Sequence, residues 1–338
     1  MPQNERELED RLSEPSSEVI DTFAQLSGDV VFLGVAGKMG PSLARMARRA
    51  TDAAGTDRRI YGVSRFTSGG EDELRSYGVE PICCDLLDET AVMGLPDAAN
   101  VVYMPGRKFG STGDESTTWA VNCYLPSLVC KRYRGSRIVA FSTGNVYPLV
   151  PVSSGGSKES DALNPVGEYG MSALGRERMF GYFSRRDAIP CAILRLNYAC
   201  DLRYGVLVDL AKKVLVGEPV DLSMGYFNTI WQGDANALTL RAFDFVETPP
   251  RVFNLTGRRV LAVREVCQRY GELFGVEPRF TGTESETALL SDSGMSLATL
   301  GEPRIGESEL IAWVADWVKR GGRSLGKPTH FEARDGKF

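Results

Sequence analysis

Asp29-Val30-Val31-Phe32-Leu33-Gly34-Val35-Ala36-Gly37-Lys38-Met39-Gly40, running directly into Pro41-Ser42-Leu43-Ala44-Arg45-Met46-Ala47-Arg48-Arg49-Ala50, is the stretch that decides the fold. Residues 29–35 are apolar and β-branched, as a strand buried on both faces requires. The segment from Pro41 is helical in composition, with proline at its start, where a missing N–H costs nothing. Between them the glycines are spaced G-x-x-G-x-x-G. Gly34 permits the tight turn, Gly37 lets backbone N–H groups approach a pyrophosphate, and Gly40 lets the helix pack on the strand. Lys38 and Met39 sit inside the turn and share the expected contact with a dinucleotide. The alternative is a glycine-rich turn that carries no ligand.

Outward from this unit the strand pattern repeats as RRIYGVS at 58–64, PICCDL at 81–86, NVVYMP at 100–105, SRIVAFST at 136–143 and PCAILRL at 190–196, with helical patterns between. Parallel neighbours need crossover helices, so this alternation implies an α/β fold with a doubly wound parallel sheet. Beyond residue 196 the pattern becomes mixed, through GVLVDLAKKVLVGEPVDL, FNTIW and RVFNLTG to the amphipathic LAVREVCQRYGELFG and ESELIAWVADWVKRGG. The expected organisation is a dinucleotide-binding domain over 29–195 with return segments near 228–256. A smaller mixed substrate-binding domain follows over 196–227 and 257–338. An appended surface helix is expected within 1–28, where Val19, Ile20, Phe23 and Leu26 follow a serine cap at helical spacing. A ligand cleft belongs between the two domains.

The composition narrows the function. The balance of 39 basic against 44 acidic residues, a net charge of −5, provides no basic block for nucleic acid. The single histidine, in the polar tail at His330, leaves nothing from which to build a zinc cluster or a Ser-His-Asp triad, so no metal is expected. Seven cysteines without a C-x-x-C pair, mostly in apolar runs, read as reduced buried thiols of a cytoplasmic protein. The acidic start and the lack of a long apolar run point away from secretion or a membrane partner. A homodimer is compatible with the sequence.

The second strand ends Gly62-Val63-Ser64-Arg65, where an NAD site places an acid against the adenosine ribose hydroxyls. Ser64 and Arg65 suit a 2′-phosphate instead, so the expected cofactor is NADP, with NAD as the alternative; a solvated loop arginine is the plainer reading. After the third strand, Asp85 beside Leu86 either accepts from the adenine amino group or caps the following helix.

Four further segments carry a family resemblance. Phe141-Ser142-Thr143-Gly144-Asn145-Val146-Tyr147-Pro148 resembles the S-S-x-x-V-Y-G segment of the extended short-chain dehydrogenase/reductases, the NAD-dependent epimerase/dehydratases. Glu168-Tyr169-Gly170-Met171-Ser172 resembles the start of their Y-x-x-x-K helix. Ile193-Leu194-Arg195-Leu196-Asn197-Tyr198 with Gly205-Val206-Leu207, and Val252-Phe253-Asn254-Leu255-Thr256-Gly257, resemble later motifs in the same order. The resemblance spans roughly 29 to 275 and implies a Rossmann fold. It implies that Tyr169 acts as acid or base on a substrate carbonyl or hydroxyl and that Thr143 orients its oxygen. Asn122 matches a site asparagine, or is a buried amide bonding backbone. Met104-Pro105-Gly106 matches the turn against the nicotinamide ribose, and Asn197 would face substrate or the nicotinamide amide. Asn145, Asn197, Arg203, Tyr204, Trp231 and Gln232 are implied for the substrate wall, with the aromatic residues equally at home in a core.

The departure lies at Ala173, four residues after Tyr169, where the family has lysine. That lysine binds the nicotinamide ribose and draws the proton off the tyrosine, so Tyr169 is expected to serve better as proton donor than as base, favouring carbonyl reduction. Arg176 offers a substitute cation or is a surface residue. The expected function is an NAD(P)-dependent oxidoreductase, epimerase or dehydratase acting on a sugar, sugar nucleotide or related polyol or carbonyl compound. The alternative is a catalytically impaired NADP(H)-binding sensor or scaffold.

Overall fold

In the computed structural model, which describes residues 1–337, the opening segment forms strand β1 (Val30–Leu33), every residue of it buried. It lies between β2 (Ile60–Ser64) and β4 (Asn100–Tyr103), both parallel to it. The sheet continues past β2 to β3 (Glu80–Cys83), and past β4 to β5 (Arg137–Thr143), β6 (Cys191–Leu196) and β7 (Arg251–Leu255). The order β7-β6-β5-β4-β1-β2-β3 changes direction between β1 and β4. There the loops leaving the carboxyl ends diverge and open a crevice. Each sequence-predicted strand is present, although β1 and β3 end two or three residues early, which puts Gly34, Asp85 and Leu86 in loops.

Apolar layers cover both faces. On one side Leu43, Met46 and Ala47 of the Gly40–Ala53 helix pack with Phe32 and Val102; on the other, Leu128 and Val129 of the Leu125–Arg132 helix and Phe180 of the Gly167–Asp187 helix pack with Val31 and Val101. A separate cluster joins the Val206–Leu215, Val263–Phe274 and Glu307–Lys319 helices through Leu210, Val266 and Trp313.

The start of the chain differs from expectation. It holds two helices, Glu5–Leu12 and Ser17–Gln25, which bury Leu8 and Leu12, and Val19 and Phe23. Leu8 and Leu12 enter the cluster around Trp313, whereas Val19 and Phe23 join the layer on β1. With only two leucines in ERELEDRL, the first helix is nearly invisible to a periodicity argument.

Behind β5 and β6 runs a buried polar chain. Glu177, midway along the Gly167–Asp187 helix, accepts from Arg195 Nε at 3.0 Å and Nη2 at 2.8 Å, and from Ser142 Oγ at 2.6 Å. Arg195 Nη1 donates to the Tyr147 hydroxyl at 2.6 Å, which donates to Asn254 Oδ1 at 2.8 Å. Burial works against the Arg195 charge, but the bonds and charge of Glu177 outweigh it and hold the guanidinium protonated. The chain ties the helix to β5, β6 and β7. Breaking a buried pair by removing one partner strands the other charge, so Glu177→Leu should cost about 3–5 kcal/mol in urea unfolding. A loss under about 1 kcal/mol, the scale of an exposed pair, would show that the pair does not hold the sheet to the helix.

Candidate functional site

The glycine turn has the shape that its spacing predicts. Gly34 takes a left-handed φ of +81°, and a Cβ there would stand 3.0 Å from the Pro105 nitrogen. At Gly40 a Cβ would fall 1.9 Å from the Val35 carbonyl oxygen, so only glycine lets the helix begin there. Gly37 is different: it is exposed, and a Cβ would meet only the Gly34 carbonyl oxygen at 3.4 Å, an ordinary contact. The space over Gly37 is open to a ligand. The helix that follows has no side-chain cap, leaving its first N–H groups to the turn and to whatever lies before it.

Two adjoining cavities run along the carboxyl edge of the sheet and share Gly34, Gly37, Met104, Gly106, Lys108 and Phe109 in their walls. The outer one is lined by Ser64, Arg65, Asp85, Leu86 and Pro105. Arg65 is exposed and makes no ion pair among the described residues. Asp85 accepts from the Leu87 N–H at 3.0 Å, and Asp88 caps the next helix, so Asp85 closes the turn beside the cavity and is not the helix cap.

The inner cavity gathers Lys38, Met39, Thr143, Asn145, Tyr169, Asn197, Tyr204 and Gln232. Thr143 ends β5; its hydroxyl donates to Asn145 Oδ1 at 3.1 Å and accepts the Asn145 N–H at 3.2 Å. Tyr169 stands in the first turn of the Gly167–Asp187 helix. Asn197 is 2% exposed, and its Nδ2 has no hydrogen-bond partner. A buried amide donor left open at the wall of a cavity is one that a ligand can satisfy.

Position 173, where the resemblance implies lysine, lies away from the cavity. Ala173 is fully buried against Val146 and Tyr147 and does not line the cavity, so no open space waits there for a longer side chain. Arg176 lines it instead, 4% exposed. Its Nη1 donates to the Phe141 carbonyl at 3.0 Å, its Nη2 donates to Asn122 Oδ1, and its Nε has no partner. Arg176 is therefore a buried residue of the site and not a surface one. A Cβ on Gly106 would be 2.7 Å from Nη2, which sets the guanidinium against the turn after β4. Helical side chains lean toward the N terminus, so Arg176 covers the level of position 173.

Three expected site residues lie elsewhere. Asn122 sits on a π-helical turn, Ala120–Tyr124, outside the cavity wall, where it accepts from Arg176 and the Arg107 N–H and donates to Ser172 Oγ; it positions Arg176. Arg203 is spent on Asp201 at 2.7 Å and Glu9 at 2.6 Å. Trp231 is 2% exposed and packs edge-on against Trp313, with centroids 5.6 Å apart. Neither lines the cavity.

The sequence did not point to Lys108, Phe109 or Thr329, which do line it. Lys108 Nζ donates to the Thr329 carbonyl at 3.4 Å and lies 5.9 Å from the centroid of the Tyr169 ring. Thr329 is fixed by its N–H and hydroxyl, both donating to Asp209 Oδ2, while Phe331 is buried beside Phe227. The one signal available was apolar Phe331 within a polar tail. Burial and neighbouring lysines push the ammonium of Lys38 down to about 8, and burial, opposed by Glu332, takes Lys108 to about 8.

The profile of the NAD dependent epimerase/dehydratase family matches residues 30–200. No curated protein matches the chain in sequence. Among solved structures, UDP-glucuronic acid 4-epimerase of Bacillus cereus, bound to UDP-glucuronic acid and NAD, superposes with a TM-score of 0.72 at 18% identity, covering 86% of this chain and 99% of that one. UDP-glucose 4-epimerase of Thermotoga maritima, with UDP-glucose, gives 0.70 at 17% identity, covering 87% and 99%. The Thermus thermophilus UDP-glucose 4-epimerase complex with NAD gives 0.69 at 21% identity, covering 85% and 98%. At these identities the likeness establishes the fold.

Because the backbone at Gly37 is unstrained and the space above it open, Gly37→Val should fold normally yet lose dinucleotide binding. Thermal melting with and without NADP or NAD reads both properties. A variant that keeps the full ligand-induced rise in melting temperature would show that the turn does not receive the pyrophosphate.

Proposed function

Since the chain belongs to the NAD dependent epimerase/dehydratase family of extended short-chain dehydrogenase/reductases, which are enzymes, we propose that it catalyses hydride and proton exchange at a hydroxyl or carbonyl carbon of a sugar nucleotide or related sugar. The observation that carries this reading is the convergence of Thr143, Tyr169 and the open amide of Asn197 on one cavity beside the glycine turn. The solved neighbours that hold UDP-sugars support the substrate class.

The residues fit a dinucleotide along both cavities: Gly37 would receive its pyrophosphate, Ser64 and Arg65 its adenosine end, and Met104, Gly106 and Asn197 its nicotinamide end. When bound, it supplies or accepts the hydride. Tyr169 gives a proton to the carbonyl oxygen, or takes one from the hydroxyl, and Thr143 holds that oxygen in line. Arg176 and Lys108 bring positive charge to the same cavity, which favours an oxyanion at the reacting carbon. Arg176 takes over the role that lysine has elsewhere in the family, through a guanidinium held by Phe141 and Asn122. With a cation in the cavity, the absence of lysine at 173 does not itself argue for a binding-only protein. The solved neighbours carry NAD. Arg65, exposed at the ribose end with no acid on the β2 terminus, supports NADP here.

Tyr169→Phe should lower turnover about 100-fold or more while leaving dinucleotide affinity within about twofold, as read by stopped assay and calorimetry. Full activity in that variant would make Tyr169 a packing residue. Arg65→Ala should weaken NADP by roughly 1–3 kcal/mol and leave NAD unchanged. Equal or tighter binding of NAD by the unaltered protein would contradict the NADP assignment.

A further inference from the structure

One wall of the inner cavity comes from the end of the chain. Past the Glu307–Lys319 helix, residues 320–337 form neither helix nor strand, and they run over the cavity as a strap. Thr329 and Phe331 point inward, each 3% exposed, while Pro328 and His330 face out. Thr329 lines the cavity and gives its N–H and hydroxyl to Asp209, on the Val206–Leu215 helix, at 2.8 and 2.7 Å. Phe331 enters the cluster around Trp313, beside Phe227. Arg334 Nη1 donates to the Ser223 and Thr287 carbonyls at 3.0 and 2.8 Å, and its Nη2 to the Thr287 hydroxyl at 2.7 Å. The strap then reaches the helix that bears Tyr169. A Cβ on Gly167 would stand 2.5 Å from the Gly336 carbonyl oxygen, and one on Gly336 would strike the Val166 carbonyl. Both glycines have a left-handed φ, +76° and +71°, so this close approach of two backbones is one that only glycine allows.

We propose that residues 327–337 are a lid on the inner cavity, which swings about Gly326 while the rest of the chain stays folded and closes over an occupied cavity, with Gly336 against Gly167 as its latch. Thr143 and Asn197 are 6% and 2% exposed, so a ligand reaches them only past a wall that moves. Most walls are fixed. β5, β6 and the Gly167–Asp187 helix are tied by Glu177 and Arg195, and the glycine turn is pinned by the close approach at Gly40. The strap is held otherwise. Leu325 makes the last backbone bond to the body, to the Arg203 carbonyl at 3.0 Å; beyond it, no backbone-to-backbone bond joins the strap to the rest of the chain among the described residues. Its holds are the Asp209 carboxylate, the Lys108 ammonium, the Phe331 ring and the Arg334 guanidinium, and a segment attached by a few side chains opens ahead of the sheet. Gly326, with a φ of +64° and no atom within 4 Å of its Cβ position, is free to act as the hinge. Closure brings Gly336 to within two residues of Tyr169 in sequence at Gly167, and it shuts water away from the reacting carbon.

The lid rests on the reading that the inner cavity receives substrate, and the measurements keep the two apart. Hydrogen–deuterium exchange of the full-length protein is followed by mass spectrometry for peptides of the strap, β5 and β6, first free, then with NADP, then with NADP and UDP-glucose. Calorimetry records separately whether each ligand binds. In the free protein the strap amides should exchange together, about 100-fold or more faster than those of β5 and β6. Arg334→Gln removes the hold on Thr287, and Gly336→Ala wedges the latch; neither residue lines the cavity. Each should speed strap exchange about fivefold and leave β5 and β6 unchanged. A ligand bound only under the closed strap lowers the open population by its concentration over its Kd, so UDP-glucose at about ten times its Kd should slow the unaltered strap about tenfold. A strap that exchanges as slowly as β5 and β6, variants that leave its exchange unchanged, or UDP-glucose that binds without slowing it overturns the lid. UDP-glucose that fails to bind counts against the sugar-nucleotide reading. NADP, whose nicotinamide end shares the cavity, then decides the lid: it must slow the strap in the place of UDP-glucose, and unchanged exchange overturns the lid.

Discussion

The buried pair of Arg195 and Glu177 is the constraint on which the site depends. It joins β6 to the helix bearing Tyr169 and Arg176, and through Ser142 it reaches the residue beside Thr143. A charge pair under 7% exposed is a poor way to gain stability, since removing both ions from water consumes most of their attraction. Its use is geometric. A bidentate guanidinium–carboxylate contact fixes distance and angle, so Thr143 on the strand and Tyr169 on the helix cannot slide past one another. Tyr147 and Asn254 extend the same chain to β7, placing the segment after β6, with Asn197, in the same frame.

Positive charge is supplied to the cavity in an unusual arrangement. At position 173, where the resemblance implies lysine, this chain has alanine packed on Val146 and Tyr147. Arg176, two turns after Tyr169, reaches back over that level and is held by a π-helical turn that presents Asn122. Ala173 is thus packed in, and Arg176 brings a guanidinium to the cavity wall from three residues further along the helix. Lys38 and Lys108 add charge from the loop side, and the tail crossing at Thr329 anchors Lys108.

What could be read in the sequence was what the chain encodes locally. The strand, glycine turn and helix at 29–50 declare themselves, since the positive φ at Gly34 and the close approach at Gly40 require glycine at those spacings. The six strands of alternating pattern and RVFNLTG all joined one sheet. Thr143 and Tyr169, singled out by motif order, both line the inner cavity. Residues whose role depends on distant partners were not. Arg203 looked available for a ligand, but its partner Glu9 lies 194 positions away, on a helix with too few apolar residues to be noticed. Trp231 looked like a stacking platform until Trp313 covered it. Lys108 and Thr329 meet only because the tail folds back over the loop after β4, and no local pattern records that.

The proposed chemistry requires the trough along the carboxyl edge of the sheet to be a dinucleotide site. Native mass spectrometry of the folded full-length protein, as purified and after addition of NADP or NAD, tests it most directly. The account predicts a single dinucleotide adduct per chain, with NADP displacing NAD in competition. A folded chain that stays bare at saturating concentrations of both would contradict it.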